Sequence, residues 1–436
     1  MEQPLNLRSF PRAIVHIDAD SFFASCEQAM HTEYRGKPII TGRERGIASA
    51  VSIEAKKLGI KRGMSIREIK EICPSIIHLP SDYETYSLFS KRMFEIVRRY
   101  TNVVEEYSID ECFAEITGLR RPLRMSYVEI VEKIKSTLDL ELGMTFSVGL
   151  APSKVVAKIA SKWNKPSGIT IVSGKKLHLF LKNVAIQDVW GIGEQTTKYM
   201  QNFGIKTALD FVHKDFKWVE SKFTKPHQEI WHELRGTAVL TLETEEKHDY
   251  KSISKTKTFT PATSDMAFIQ AQLSKNTENA CIKARRHKLS ARRVFFILRT
   301  EDYKHLGYEF KLSRASNIPS EIIPVINSYL KIIYSPDTRY RLTGVVLADL
   351  QEDTAHQIDM FGEAIKAEKI HKVYEYVDLL SSKYGKHTVF LGSSYEAMKG
   401  KQHLNQRADL AQRKTDLFKD EDRRKRIGIP MLGDVR

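Results

Sequence analysis

The residues most able to do chemistry are acidic and sit at two strand ends far apart in the chain. Asp18-Ala19-Asp20 follows the apolar run Ala13 to Ile17. Ser108-Ile109-Asp110-Glu111 lies between Val103–Tyr107 and Cys112–Thr117, which read as two short strands joined by a tight turn. Adjacent carboxylates repel, so Asp110 and Glu111 need either bulk water, as at a solvated hairpin tip, or a cation. If the two acidic strands are neighbours in one sheet, Asp18, Asp110 and Glu111 meet at one point. Such a site is hard and oxygen-rich and suits Mg²⁺ rather than zinc, as in two-metal phosphoryl or nucleotidyl transfer.

The elements around these acids must position them. Ser21 or Asp20 can cap a helix whose first turn holds Phe22 and Phe23. Phe23 is either a core aromatic or a ring lying against the sugar of an incoming nucleotide. Ser52 to Gly59 reads as a glycine-closed helix, on which Lys56 is either solvated or within reach of a triphosphate. Tyr83–Tyr100 and Ser126–Leu138 have helical period, and Phe146–Leu150 is a strand. Lys154, Lys158 and Lys162 then recur every fourth residue. Like charges at that spacing weaken a helix, so the stripe faces either water or an anionic neighbour. Lys165-Pro166-Ser167-Gly168 is a turn into the strand Ile169–Val172. The order βαββαβ implies an α+β domain on an antiparallel or mixed sheet.

Further on, Gly191-Ile192-Gly193 precedes a helix and Gly204-Ile205-Lys206-Thr207 follows it. Such hairpins expose backbone N–H groups that hold a phosphate without reading bases. Residues 237–251 are polar and read as a linker. Strands then fall at Ser252–Thr258, Arg292–Thr300, Tyr308–Leu312 and Arg341–Leu347, with amphipathic stretches at Asp265–His287 and Ser320–Ile333. Arg285, Arg286, Lys288, Arg292 and Arg293 cluster in a way that suits a phosphate backbone. Gln357-Ile358-Asp359-Met360-Phe361 is either a plug for a partner's pocket or a collapsed linker turn. Ala364 to Ser381 reads as a helix, and from Lys401 the chain is charged, poor in core residues and expected to be mobile.

Composition bounds the partners. A chain of 436 residues is too long for one compact domain, and 42% hydrophobic residues suffice for real cores. Sixty-nine Lys and Arg against 54 Asp and Glu leave a formal charge of +15, which points to nucleic acid before membrane. Cys26, Cys73, Cys112 and Cys281 form no Cys-x-x-Cys pair, as expected of buried thiols in a reducing cytosol. No apolar run has signal-peptide or membrane-spanning character, so a soluble cytoplasmic protein is expected.

Together these stretches resemble the Y-family, or translesion, DNA polymerases over nearly the whole chain. Asp18-Ala19-Asp20-Ser21-Phe22-Phe23-Ala24 is similar to the family's first catalytic motif and Tyr107-Ser108-Ile109-Asp110-Glu111 to the second. Gly149 to Lys154 through Lys165 to Gly168 looks like the segment typical of DNA polymerase IV. Val189 to Gly193 and the chain from about Asp349 look more like the catalytic subunit of bacterial DNA polymerase V.

The resemblance implies an α+β multidomain right hand. Its parts would be a βαββαβ palm (1–25 and 82–180), small fingers (26–81) and a helical thumb with a helix-hairpin-helix (181–241). A linker (242–251), an α/β little finger (252–351) and a tail with a clamp-binding motif (352–436) would follow. It implies that Asp18, Asp110, Glu111 and the Ala19 carbonyl hold two Mg²⁺ ions, with Phe23 as steric gate and Phe22, Lys56 and Lys165 at the nucleotide. Gly191, Gly193, Arg285, Arg286, Arg292 and Arg293 would touch DNA, and Gln357, Ile358, Met360 and Phe361 would dock on a sliding clamp. Primer-template DNA and deoxynucleoside triphosphates are the implied partners, with a recombinase filament and a small accessory subunit by analogy to polymerase V. The implied role is error-prone synthesis past damage, hence mutagenesis, with expression in an SOS-type damage response. This chain carries Ile53 and Lys56 where many members have tyrosine and arginine; lysine supplies charge but no bidentate fork. A cyclase-like palm and a non-catalytic DNA- and clamp-binding accessory are the rival readings. The glycine hairpin and basic third domain oppose the first, and the full set of three carboxylates opposes the second.

Overall fold

The acidic strand ends are brought together by β1 (Ile14–Ala19), the central strand of the first sheet in the computed structural model. The structure describes residues 5, 8–245, 250–353, 363–384 and 388–399. The chain divides into two units near residue 246.

In the first unit, β1 leads into α1 (Phe22–Met30). A small sheet follows, made of β2 (Ile39–Thr41), β3 (Ala50–Val51) and, beyond α2 (Ile53–Lys57) and α3 (Ile66–Ile72), β4 (Ile77–Leu79). Its core is Ile40, Val51, Ala55, Ile60 and Ile69. Strand β4 and helix α3 were not legible as periodic segments, because each is too short to show a repeat. The chain returns through α4 (Tyr83–Arg98), β5 (Val104–Glu105), β6 (Glu111–Glu115), α5 (Arg120–Leu123), α6 (Tyr127–Leu142), β7 (Phe146–Ala151), α7 (Lys154–Trp163) and β8 (Ile169–Ile171).

The main sheet has the order β5-β6-β1-β7-β8. It is mixed: β7 and β8 run parallel and the other pairs antiparallel. Helices α4 and α6 bury Phe89, Met93, Ile130 and Ile134 against one face. Helix α6 starts in a capping box formed by Ser126 and Glu129 and stops at Gly143, whose φ is +64°. Helix α7 covers the other face, and Gly149 on β7 makes that approach possible. A Cβ there would lie 2.2 Å from the Ala157 carbonyl oxygen and 2.4 Å from the Ser161 nitrogen. The helix backbone therefore rests directly on the strand, which sets Lys158 over the acidic edge.

Five further helices share a core with α7: α8 (Leu177–Leu181), α9 (Glu194–Gln201), α10 (Ala208–Val212), α11 (Phe216–Lys222) and α12 (Lys225–Leu234).

The second unit is an antiparallel sheet of order β11-β10-β12-β9. Its elements are β9 (Ser252–Thr263), α13 (Met266–Arg286), β10 (Leu289–Thr300), β11 (His305–Ser316), α14 (Pro319–Ile333) and β12 (Tyr340–Glu352). Helices α13 and α14 cover one face, burying Ile269, Phe296, Ile326 and Val345. The strands run longer than expected, since hydrophobic alternation marks only their core-facing stretches. Two more helices, α15 (Glu363–Tyr384) and α16 (Tyr395–Lys399), fasten to this unit. Arg285 Nε and Nη2 grip Asp378 at 2.7 and 2.8 Å, and Glu278 accepts from Ser394 Oγ at 2.7 Å. Gln357 to Phe361 lies outside the described residues. All four cysteines are buried free thiols, and no helix among the described residues is long and apolar enough to cross a membrane.

Glu233 on α12 is fully buried and ties the helical layer to α7. Its carboxylate accepts from Val155 N at 3.2 Å and from Val239 N and Leu240 N at 2.8 Å each. Glu233→Ala leaves three backbone donors unpaired and is expected to lower the unfolding free energy by roughly 3 kcal/mol. Urea denaturation measures this, with Glu233→Gln, which keeps an acceptor oxygen, losing less.

Candidate active site

Asp18 and Glu111 are direct register partners on β1 and β6. The hairpin turn is closed by Ser108 N donating to Glu111 O at 3.1 Å and Ser108 Oγ to Asp110 Oδ1 at 2.5 Å. Ala19 N donates to Asp110 O at 2.9 Å, locking the turn to the end of β1. Glu111 begins β6 rather than sitting in the turn, so its side chain follows the pleat of the strand.

Each acid has a cationic or donor neighbour. Lys165 Nζ donates to Asp18 Oδ1 from the turn after α7. Burial pushes the Asp18 carboxyl up, against the pull of Lys165, and the charges of Glu111 and Asp110 add to the push. Lys158 Nζ donates to both oxygens of Glu111 at 2.8 and 2.7 Å. His16 Nε2 lies 3.1 Å from Glu111 Oε2, and His16 Nδ1 lies 2.7 Å from Ser161 Oγ. Burial lowers His16 to about 4, so the ring is neutral at pH 7. A carboxylate only accepts, which puts the ring proton on Nε2, while Ser161 Oγ donates at 2.9 Å to the Lys158 carbonyl. Burial alone would raise Glu111, but the hydrogen bonds from His16 and Lys158 outweigh it and hold the carboxyl at about 2.

The lysine stripe of α7 is thereby resolved. Lys158 sits 4.3 Å from the Tyr107 ring centroid and 5.1 Å from that of Trp190, an aromatic lining for a buried ammonium. Lys154 is buried too, donating to Glu105 Oε2 at 2.6 Å. Only Lys162 meets the expectation of a solvated face. His16 was overlooked in the sequence, although its spacing of two from Asp18 puts both on one face of β1.

Asp20 does not cap α1. Its carboxylate accepts from Ser147 Oγ at 2.8 Å, Thr145 Oγ1 at 2.9 Å and Ser167 N at 2.7 Å. Ser21 holds the N-cap position with φ +53° and makes no side-chain cap bond. Phe22 is 5% exposed and belongs to the core. Phe23 is half-buried, stacked on Tyr86 at 4.4 Å and edge-on to Tyr83 at 5.4 Å. Tyr86 is itself fixed by donating to Glu27 Oε1 at 2.8 Å. Lys56 is exposed on α2, and its ammonium is pushed down by partial burial and then by the charge of Lys165. Gly191 has φ +90°, while Gly193 is extended and caps α9.

Of the second unit's arginines, Arg286 and Arg293 are exposed and Arg292 is half-buried. Arg293 pairs with Glu309 at 3.0 Å. Arg285 departs from the expectation of a phosphate contact: its side chain is 5% exposed and committed to Asp378 and the Asn317 carbonyl.

The impB/mucB/samB family matches residues 17–162, and that family's C-terminal domain matches residues 250–360. A DNA polymerase IV of Listeria monocytogenes is 31% identical over 348 residues, 78% of this chain and 96% of the relative. One from Bacillus velezensis is 29% identical over 95% of this chain and 99% of its own length. Among solved structures, a Y-family DNA polymerase chimera of Dbh and Dpo4 superposes with a TM-score of 0.65 at 25% identity. That match covers 77% of this chain and 98% of the chimera. An insertion ternary complex of Dbh DNA polymerase has the same fold, with a TM-score of 0.52 at 24% identity over the same shares. A mixed sheet carrying paired acids, followed by a separate four-stranded unit, is thus a polymerase architecture. The chain belongs to the Y family of DNA polymerases and is a DNA-directed DNA polymerase resembling DNA polymerase IV.

The Glu111 carboxyl lies below its ordinary value, so its ionised form adds stability above about pH 4.5, and this is lost as pH falls toward about 2. The stability gap between wild type and Glu111→Gln is expected to be full above pH 5 and to shrink steadily on acidification. Urea denaturation at a series of pH values reads it.

Proposed function

We propose that Asp18, Asp110 and Glu111, with the Ala19 carbonyl, hold two divalent cations, Mg²⁺ by their hard oxygen chemistry, for template-directed nucleotidyl transfer. The observation that carries this reading is the Asp18–Glu111 register pairing, with Asp110 tied to the same strand end. The donor set suits hard cations, and the ammonium groups of Lys165 and Lys158 already lie against Asp18 and Glu111. As placed, no three His, Cys, Asp or Glu side chains among the described residues gather closely enough to hold a metal ion. Loading the site therefore requires Lys165 to release Asp18. When bound, such ions stabilise negative charge on the attacking and leaving oxygens.

This chain's residues supply the rest. Once free of Asp18, Lys165 turns to the triphosphate, where Lys56 joins it. The two ammonium groups then meet an anion instead of each other. Phe23, braced by Tyr86, closes the space beside the sugar and excludes a 2′-hydroxyl. Residues 1–25 and 82–180 serve as palm, 26–81 as fingers, 181–241 as thumb and 252–351 as little finger. A three-stranded fingers sheet offers little surface to check a nascent pair, which favours synthesis past lesions and mutagenesis. Gly191 and Gly193 present backbone donors to phosphates, and Arg286, Arg292 and Arg293 add charge. Gln357 to Phe361 is assigned to a sliding clamp on its sequence alone, raising local concentration at the primer end.

Primer extension on undamaged and abasic templates tests this. Wild type is expected to extend both with Mg²⁺, while Asp110→Ala loses synthesis and keeps DNA binding; extension by Asp110→Ala would sink the metal assignment. Phe23→Ala is expected to raise ribonucleotide incorporation roughly 10- to 100-fold, read as the ratio of kcat/KM for ribo- and deoxynucleotide.

A further inference from the structure

Lys165 is the group on which the triphosphate reading leans most, yet it is a long, flexible side chain on an exposed turn. The turn beneath it is heavily specified. Ser167 has φ +60°, a left-handed conformation that a serine adopts only when its surroundings impose it. Gly168 has no room for a side chain, since a Cβ would lie 2.0 Å from the Asn164 carbonyl oxygen. The Gly168 carbonyl accepts from Val148 N at 2.9 Å, fixing the end of the turn to β7.

Behind the turn is a buried polar brace that the reaction itself does not use. Lys135 on α6 is 8% exposed, an unusual place for a lysine on an amphipathic helix. Its Nζ donates to Asp139 Oδ2 and, at 3.0 Å, to Ser167 Oγ. Asp139 Oδ1 in turn accepts from Phe146 N at 3.0 Å at the start of β7. On the other side of the turn, Ser167 N donates at 2.7 Å to Asp20, which Ser147 and Thr145 already hold. Ser167 is thus gripped at its amide by Asp20, just beyond β1, and at its hydroxyl by Lys135 of α6. Two residues earlier, Lys165 reaches Asp18. The second bond, to Ser167 Oγ, couples this buried ammonium to the turn.

We propose that Lys135 is a positioning residue for nucleotide binding: through Ser167 it fixes the turn from which Lys165 reaches the triphosphate. The inference rests on the assignment of Lys165 under Proposed function. It places the effect on the KM for deoxynucleoside triphosphate rather than on kcat, because Lys135 touches neither substrate nor the reacting atoms. Asp20 supports the same turn but also the end of β1, so it is the poorer probe.

The experiment is steady-state primer extension by the full chain on one undamaged template, titrating a single deoxynucleoside triphosphate. Lys135→Met and Ser167→Ala are each expected to raise KM roughly five- to tenfold, the equivalent of one lost charge-assisted hydrogen bond, with kcat within about twofold. Lys135→Arg, which keeps a buried donor, is expected to restore most of the affinity. The deciding measurement is the Lys135→Met change made again in a Lys165→Ala background. If Lys135 acts through Lys165, its effect on KM disappears there. Equal effects in both backgrounds, or an unchanged KM in Lys135→Met, overturn the inference. If Lys165→Ala alone leaves KM unchanged, the triphosphate assignment of Lys165 fails, and this inference with it. Should Lys135→Met fold poorly in thermal unfolding, Ser167→Ala, which keeps the Lys135–Asp139 pair intact, carries the same cycle.

Discussion

Mutual repulsion among carboxylates at one end of the main sheet is the constraint to which the first unit answers. Asp18, Asp20, Asp110 and Glu111 lie within a few residues of the β1–β6 strand ends. Each must be neutralised or hydrogen-bonded, or the edge would not fold as it does. The solutions differ by residue. Asp20 is satisfied by hydroxyls and an amide, Glu111 by a buried ammonium and a neutral imidazole, and Asp110 by its own turn. Asp18 alone relies on a partly exposed lysine from a turn. This gradient separates permanent from exchangeable neutralisation, and under the proposed assignment the exchangeable end is where a substrate's own charges would enter.

Helix α7 is the instrument of that arrangement. Its close seat on Gly149 brings Lys154 and Lys158 down onto the sheet, where like charges at helical spacing stop being a liability. The aromatic lining from Tyr107 and Trp190 lowers the cost of burying Lys158. The residues before Asp110 and before Gly191 therefore contribute to the same charge balance, although they lie far apart in sequence.

Much of this was legible in the chain, and the misses share one cause. The strand β1, its acids and the hairpin around Asp110 could be read because apolar runs and their acidic ends are local signals. The order of elements left an antiparallel or a mixed sheet open, and the parallel pairing of β7 with β8 makes it mixed. What could not be read was pairing across long separations. Whether Lys154 and Lys158 faced water depended on Glu105 and Glu111, tens of residues upstream. Arg285 looked like a phosphate contact because it clusters with Arg286, Lys288, Arg292 and Arg293, whereas its partner Asp378 lies 93 residues downstream. Lys135 gave no signal at all, since a lysine four residues before an aspartate on a helix ordinarily marks a solvated surface pair.

Helix α15 is fastened to the second unit by reciprocal contacts. Asp353, at the end of β12, accepts from Ser290, from Asn317 and from His371 on α15 at 2.7 to 2.8 Å. Asp378 further along the same helix is clasped by Arg285. Helix α15 is thus held to the second unit at two points seven residues apart, an acid of the sheet reaching the helix and an acid of the helix reaching back. A helix clasped in both directions cannot slide along its axis without breaking both contacts, so its register on the unit is fixed as well as its position.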